Sequence, residues 1–491
     1  MFCSAERLGF VGACALLASL CFLPSQLRAA DAASQDSAPK TFQISTNSPA
    51  ARAFFDDGLV QWENHRFTEA RQAWRKASAT DANFALAHLY LATISPDPME
   101  RTEELKRALS LKATASHDEQ LVIDWIAETD ENHLVSAITS MNELLARYPQ
   151  DAHLLYRAAL WYRNVRQRQR AENMFNRVLQ LDAKFADAFN QLAYIYAAQG
   201  KFDQALDAMR QYVALLPNEP NPEDSYAEIL QMSGRFDEAI VHYRAALKLD
   251  PKFVSSQAGI AGTYALMGNQ KRAREEYNLA IEKAGSQSST LSLTGDIAVT
   301  YVRENNLDEA TRILQNVAKG AHDAQLAVIE SGAYRMMALY QTSSASALAL
   351  LKKAEDVLHE GHPTSKAAFE RQLATILKTR ACRASQDGEL KTAVAALNRL
   401  EELMKSTGNG YIEVAYHGAA GAVLLAQKNY SEAIIELQED TQSPLSLKML
   451  ATAYQKNGSA KEAASTRLHV ANLHIPSLEQ ALLLSESHPR P

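Results

Sequence analysis

The sequence predicts an all-α fold, a superhelical solenoid of about twelve helix-turn-helix units, and three observations carry that expectation. Ala137, Ala171, Ala205, Ala239 and Ala273 follow one another at intervals of 34 residues. Gly200, Gly234 and Gly268 recur in the same step, each between two stripes of apolar residues spaced three and four apart. The period-two alternation of a strand competes with that spacing nowhere in the chain.

The elements follow in chain order. Residues 1–30 read as a secretory signal peptide, with Arg7 ahead of an uncharged run from Leu8 to Leu23 and small residues at Ala29 and Ala30. The run is short for a permanent membrane span, which needs about 20 apolar residues. The cysteine of Val11-Gly12-Ala13-Cys14 is read as an ordinary residue of that apolar run, not as a lipidation site. Residues 31–50 are rich in Ala, Ser, Asp and Gln and poor in large apolar side chains, the composition of a flexible leader. A superhelical array is expected over 51–360, opened by Gly58, Ala70, Trp74 and Ala77 and most regular over 118–287. The key alanine returns at Ala310, Ala347, Ala393, Ala433 and Ala463 with irregular gaps, so 361–475 is expected as a less regular block that can pivot, and 476–491 as a tail.

Each recurring residue has a physical cause. The alanine lets the second helix of a unit approach the first closely, because packing at about 8–10 Å leaves no room for a large side chain. Four residues later Met141, Phe175, Met209, Tyr243 and Tyr277 supply the bulk that fills the space between neighbouring units. Gly-Lys-Phe-Asp-Gln-Ala at 200–205 and Gly-Arg-Phe-Asp-Glu-Ala at 234–239 end one helix and start the next, with a carboxylate where the helix dipole favours it.

On these residues the chain resembles the tetratricopeptide repeat family. The series is clearest as Leu192, Ala193, Tyr196, Ala205, Met209, Pro217 and again as Tyr226, Ala227, Leu230, Ala239, Tyr243, Ala246, Pro251. The resemblance implies a right-handed superhelical α-solenoid, non-catalytic, whose first helices line a concave groove for a peptide or protein partner. Carried over position by position, it nominates His153, Tyr156, Arg163, Asp187, Asn190, Tyr194, Asn221, Asp224, Glu228 and Gln231 as groove residues. The places of the family's clamp for a chaperone tail hold Tyr156, Leu160, Gln191, Asn221 and Ser225, so that clamp is absent.

Chemistry outside the groove is sparse. With 491 residues, 47% hydrophobic, and a net charge of −7, the chain lacks the positive field of a general nucleic-acid binder. His359-Glu360-Gly361-His362 is one residue short of the zinc-protease spacing and reads as a surface loop. No phosphate loop or nucleophile elbow occurs, and no cofactor, metal or catalytic residue is expected. Trp62, Trp74 and Trp125 read as packing, Trp161 beside Tyr162 stands apart from them, and Cys382 reads as buried and inert. Arg163, Arg166, Arg168 and Arg170 form the one strong basic run, a solvated face or a docking turn for a carboxylate-rich partner or an anionic glycan.

Together these readings predict a scaffold in a bacterial cell envelope, holding a protein segment. Loss of residues 1–30 leaves Cys382 alone, and a large exported chain without an intrachain disulfide fits the periplasm. Secretion, or tethering by an uncleaved signal segment, is the alternative location. The alternative function is an accessory or carrier protein for exopolysaccharide export or assembly.

Overall fold

A computed structural model describes residues 42–95, 97–130, 133–361 and 365–487, all within one contact unit, Thr41–Pro491. The signal segment, most of the leader and His362 lie outside the described residues. Among the described residues there are 25 α-helices and no strand.

Twenty-four of these helices form antiparallel pairs in chain order. The first pairs are α1 (Pro49–Glu63) with α2 (Phe67–Thr80), α3 (Ala85–Ile94) with α4 (Pro98–Leu111), and α5 (His117–Asp130) with α6 (Leu134–Arg147). The regular stretch follows with α7 (Ala152–Asn164) and α8 (Arg168–Leu181), α9 (Ala186–Ala198) and α10 (Phe202–Leu215), α11 (Pro220–Met232) and α12 (Phe236–Leu249), and α13 (Val254–Leu266) and α14 (Gln270–Lys283). Longer pairs come next: α15 (Gln287–Arg303) with α16 (Leu307–Asp323), α17 (Ala327–Leu339) with α18 (Ser344–Glu360), and α19 (Lys366–Gln386) with α20 (Leu390–Thr407). The last are α21 (Gly410–Ala426) with α22 (Tyr430–Gln438) and α23 (Pro444–Lys456) with α24 (Ala460–Ala471), before a single α25 (Leu478–Ser487). The irregular gaps after Ala273 come mostly from these longer helices; α19 alone has 21 residues.

The recurring alanines do what their size requires. Ala137, Ala171, Ala205, Ala239, Ala273, Ala310, Ala347, Ala393 and Ala433 are all at 0% exposure, where one helix of a pair crosses the other. Gly200, Gly234 and Gly268 take φ of +73°, +82° and +84° between the helices of their pairs, a region that strains other residues. Odd-numbered helices are covered around more of their circumference than even ones. In α9 the buried set includes Asp187, Asn190 and Gln191 as well as apolar residues, whereas α10 buries only its apolar stripe. The odd helices therefore form the inner wall and the even ones the outer.

Two stretches differ from the sequence expectation. Residues 42–48, assigned above to the leader, form a strap pinned to carboxylates beside three odd helices. The Phe42 amide donates to Asp151 at 2.7 Å, the Ser45 amide to Glu119 at 2.9 Å, and the Thr46 hydroxyl to Asp81 at 2.6 Å. Residues 478–487, assigned to the tail, form α25, which lies on α15 and α23 and buries Leu478 and Ala481. Both segments have partners far away in sequence, so local composition does not reveal them. Trp74, Trp125 and Trp161 are buried, and Trp62 packs edge-on to Tyr156.

Candidate functional site

The chain itself covers two parts of the inner wall. At the N-terminal end the turn between α1 and α2 reaches across to α9. His65, held at φ +59°, donates from Nε2 to Asp187 at 2.5 Å. Asp187 is 1% exposed and also accepts from Tyr156, from Asn190 at 2.7 Å and from Gln191 at 2.8 Å. Burial drives the Asp187 pKa up, but the His65 hydrogen bond and charge and the other donors outweigh it, and the net direction is down. For His65 burial pulls down, the Asp187 bond and charge pull up, and the net direction is up. The same turn gives the Arg66–Glu219 ion pair, while Glu63 pairs with His153 at 2.5 Å. Arg163, also nominated, donates to Gln191.

Of the nominated residues, His153, Tyr156, Arg163, Asp187 and Asn190 thus serve contacts within the chain. The basic turn is engaged in the same way. Arg166, at φ +60°, donates to the Glu439 carbonyl at 2.8 Å and packs over Gly410, where an added Cβ would sit 2.8 Å from Arg166 Cγ. Arg168 is half-buried, its pKa lowered by burial and by Arg166, and Arg170 lies 5.6 Å from the Tyr162 ring centre.

The second covered part is the middle of the wall, crossed by residues 473–482. His474 stacks edge-on against Phe236 and its Nδ1 meets the Met232 carbonyl at 3.2 Å. Pro476 rests on α13 at Gly262, where an added Cβ would come within 3.1 Å of the proline ring. Arg303 on α15 clamps the segment by donating to Gln480 at 2.6 Å and to the Ile475 carbonyl. Burial lowers the Arg303 pKa to about 10.

Beside Pro476 the wall stays open as a recess of about 380 Å³. Asp224, Glu228 and Gln231 from α11, Ser255, Gly259 and Gly262 from α13, and Asp296 from α15 line it, over a floor of Tyr243 and Tyr277. Gly259 has no alternative here, because a Cβ would collide with the Tyr243 ring. Burial raises the Asp224 pKa to about 7, against a Ser256 hydroxyl donating at 2.6 Å and with the Glu228 charge adding to it; burial alone raises Asp296 to about 6. No lysine, arginine or histidine lines the recess among the described residues. Tyr194 donates to Glu228 at 2.6 Å, Gln231 accepts from Thr263 at 2.8 Å, and Asn221 accepts from Tyr212 at 3.1 Å. The structure therefore brings Asp224, Glu228 and Gln231 together and sets the earlier nominees apart. Asp296, Gly259 and Gly262 were missed; the i, i+3 glycines on an inner helix were the available signal for the recess, and nothing in the spacing points to Asp296.

Among the described residues no group of histidine, cysteine and acidic side chains is arranged to hold a metal ion. No described helix is long and apolar enough to cross a membrane. His359, on the last turn of α18, lies 3.8 Å from Glu355. Cys382 is a free thiol whose pKa burial pushes up to about 12.

Residues 156–220 and 225–253, which hold the open recess's α11 and the covered wall before it, match family models described as tetratricopeptide repeat. These segments are tetratricopeptide repeats. The chain is also similar to Superkiller protein 3 of Schizosaccharomyces pombe, at 24% identity over 30% of this chain and 11% of that protein. A peroxisomal targeting signal receptor of Kluyveromyces lactis is 24% identical over 52% of this chain and 45% of the receptor. The chain therefore spans less than half the length of these curated relatives. Among solved structures, one of the APC/C hetero-tetramer Cut9-Hcn1 overlaps 87% of this chain and 78% of that one, with a TM-score of 0.40 and 15% identity.

Proposed function

We propose that this tetratricopeptide-repeat chain is a non-catalytic scaffold that holds a protein segment against its inner wall, with a lysine or arginine of the segment entering the recess between α11 and α15. One observation carries the reading: the open stretch of inner wall is acid-walled and lacks a cation of its own. Two carboxylates that burial makes reluctant to ionise gain most from a cation brought to them. The tyrosine floor suits the apolar stem of such a side chain. A stacked helical array is stiff, so it grips without first losing much entropy.

Fluorescence anisotropy with labelled heptapeptides carrying a central Lys, Arg, Gln or Glu tests this. Lys and Arg peptides bind, Asp224→Asn with Asp296→Asn weakens them about tenfold or more, and Gln peptides stay weak. Equal binding of Lys and Gln peptides contradicts it. Location in a bacterial envelope is part of the same proposal and rests on residues 1–30 and on Cys382 as the one cysteine left after their loss; a mature N-terminus between Ala29 and Ala33 in a periplasmic fraction supports it, and recovery of the chain with Met1 intact in the cytoplasmic fraction opposes it. An accessory role in exopolysaccharide export would draw on the Arg163–Arg170 turn. Arg166 is already committed to residue 439, which favours the acid-walled recess as the working surface.

A further inference from the structure

A second chamber lies on the inner wall of the later repeats, apart from the acid-walled recess. It encloses about 360 Å³ between α17, α19, α21 and the first turn of α23, and Ile475 to Glu479 close one side. Arg335 of α17 lines it. The Nε of Arg335 is fully buried without a hydrogen-bond partner, and among the described residues its guanidinium makes no ion pair. Burial drives its pKa down, with Glu479 and Tyr411 opposing. A buried Nε without a partner is costly, and a flat anion is what the planar fork of guanidinium donors fits.

The other charged groups facing the chamber are already committed. Lys378 pairs with Asp440 at 2.6 Å, Asp440 also accepts from Ser446 at 2.5 Å, and Glu479 accepts from Ser443 at 2.7 Å. The Cys382 thiol is neutral. Arg335 and Lys378 face Asp440 and Glu479 across the chamber, so the lining is near neutral in charge and opposes a dianion more strongly than a monoanion. The first turn of α23, at Pro444 to Ser446, brings the positive end of a helix dipole to the same wall, with the Ser446 amide already donating to the Ser443 hydroxyl at 3.2 Å. The rest of the lining is largely apolar, with Leu339, Val414, Ala415, Met449 and Leu478. We infer that this chamber binds a monoanionic carboxylate on a compact aliphatic body, with the carboxylate on Arg335 and the chain among those apolar side chains. The inference does not depend on the acid-walled recess.

Calorimetric titration of the full chain with hexanoate, hexanamide and inorganic phosphate tests it. Hexanoate binds saturably, and hexanamide and phosphate bind at least tenfold more weakly. Arg335→Met abolishes hexanoate binding yet melts no lower than the native chain, because it removes a buried donor that lacks a partner and keeps the stem's volume. Silence of the native chain toward hexanoate, or equal binding of hexanamide, overturns the inference without any variant. Retained binding by Arg335→Met overturns it too. So does a clearly lower melting temperature for that variant, or its failure to fold, since either makes Glu479 the true partner of Arg335.

Discussion

His65 and Arg166 stand where Gly200, Gly234 and Gly268 stand in later repeats, at φ of +59° and +60°. A non-glycine there strains the backbone by about 1 kcal/mol or more, and both side chains use the position to reach a distant repeat. The two differ in what they would leave behind. His65→Gly removes a donor from the buried Asp187, so the chain loses about 2–4 kcal/mol despite the relaxed turn. Arg166→Gly surrenders a partly exposed contact and relaxes its turn, so stability changes by less than about 1 kcal/mol. Urea unfolding of both variants checks the contrast. Because the His65 pKa is raised, its stabilisation is full below the ordinary value of about 6.5 and fades as pH climbs through the raised one. Asp224 runs differently, being an acid with its pKa raised to about 7. The folded state there holds its proton longer than the unfolded chain, so stability falls as pH rises from about 4 to about 7. Asp224→Asn is therefore more stable than the native chain at pH 8 by about 1–2 kcal/mol, and the gain shrinks toward pH 5. A gain independent of pH would contradict the shift.

At the scale of the helix pair, Ala239 has no exposed surface where α12 crosses α11, and Tyr243 one turn on fills the gap toward α13. Ala239→Leu overpacks that crossing and lowers stability by about 1–3 kcal/mol, read as a lower melting temperature by circular dichroism. The pairs were legible because most of them repeat a local device: a small residue at the crossing, a bulky one a turn later, and a left-handed residue between, as at His65, Arg166, Gly200, Gly234 and Gly268. The groove was legible only in part. Asp224, Glu228 and Gln231 sit on the open wall because the register of α11 alone decides which way they face. Tyr156 and Asp187 share that register, yet α1 and the turn after it, about 90 and 120 residues earlier, cover them, and spacing within a repeat carries no trace of that contact. The same limit hid Asp296, whose helix is 17 residues long and out of step with the 34-residue period.

Across the whole of the described unit, residues 473–487 convert a series of pairs into a body whose distant repeats touch. Leu478 joins Val299, Val302 and Leu314 in one apolar cluster, and Arg303 ties Gln480 to α15. Leu478→Ala leaves a cavity there and costs about 2–4 kcal/mol. The loss is expected to show in hydrogen exchange of α15 and α23, the helices under α25, before it shows in α1 to α6; uniform loosening of every pair would contradict a local role. Repeat arrays couple mainly to their neighbours, so a contact between residues 303 and 480 changes which parts unfold together. The working claim for the molecule is that its partner lies on the inner wall over α13. The most direct measurement places a photo-crosslinking residue at Ser255 in the recess and, as a control, at the exposed Lys248 on the outer helix α12. With a bound lysine heptapeptide the account predicts crosslinks from residue 255 that vanish with Asp224→Asn and Asp296→Asn, and none from 248. Crosslinks of equal yield from both positions, or from 255 in the absence of both carboxylates, would contradict it.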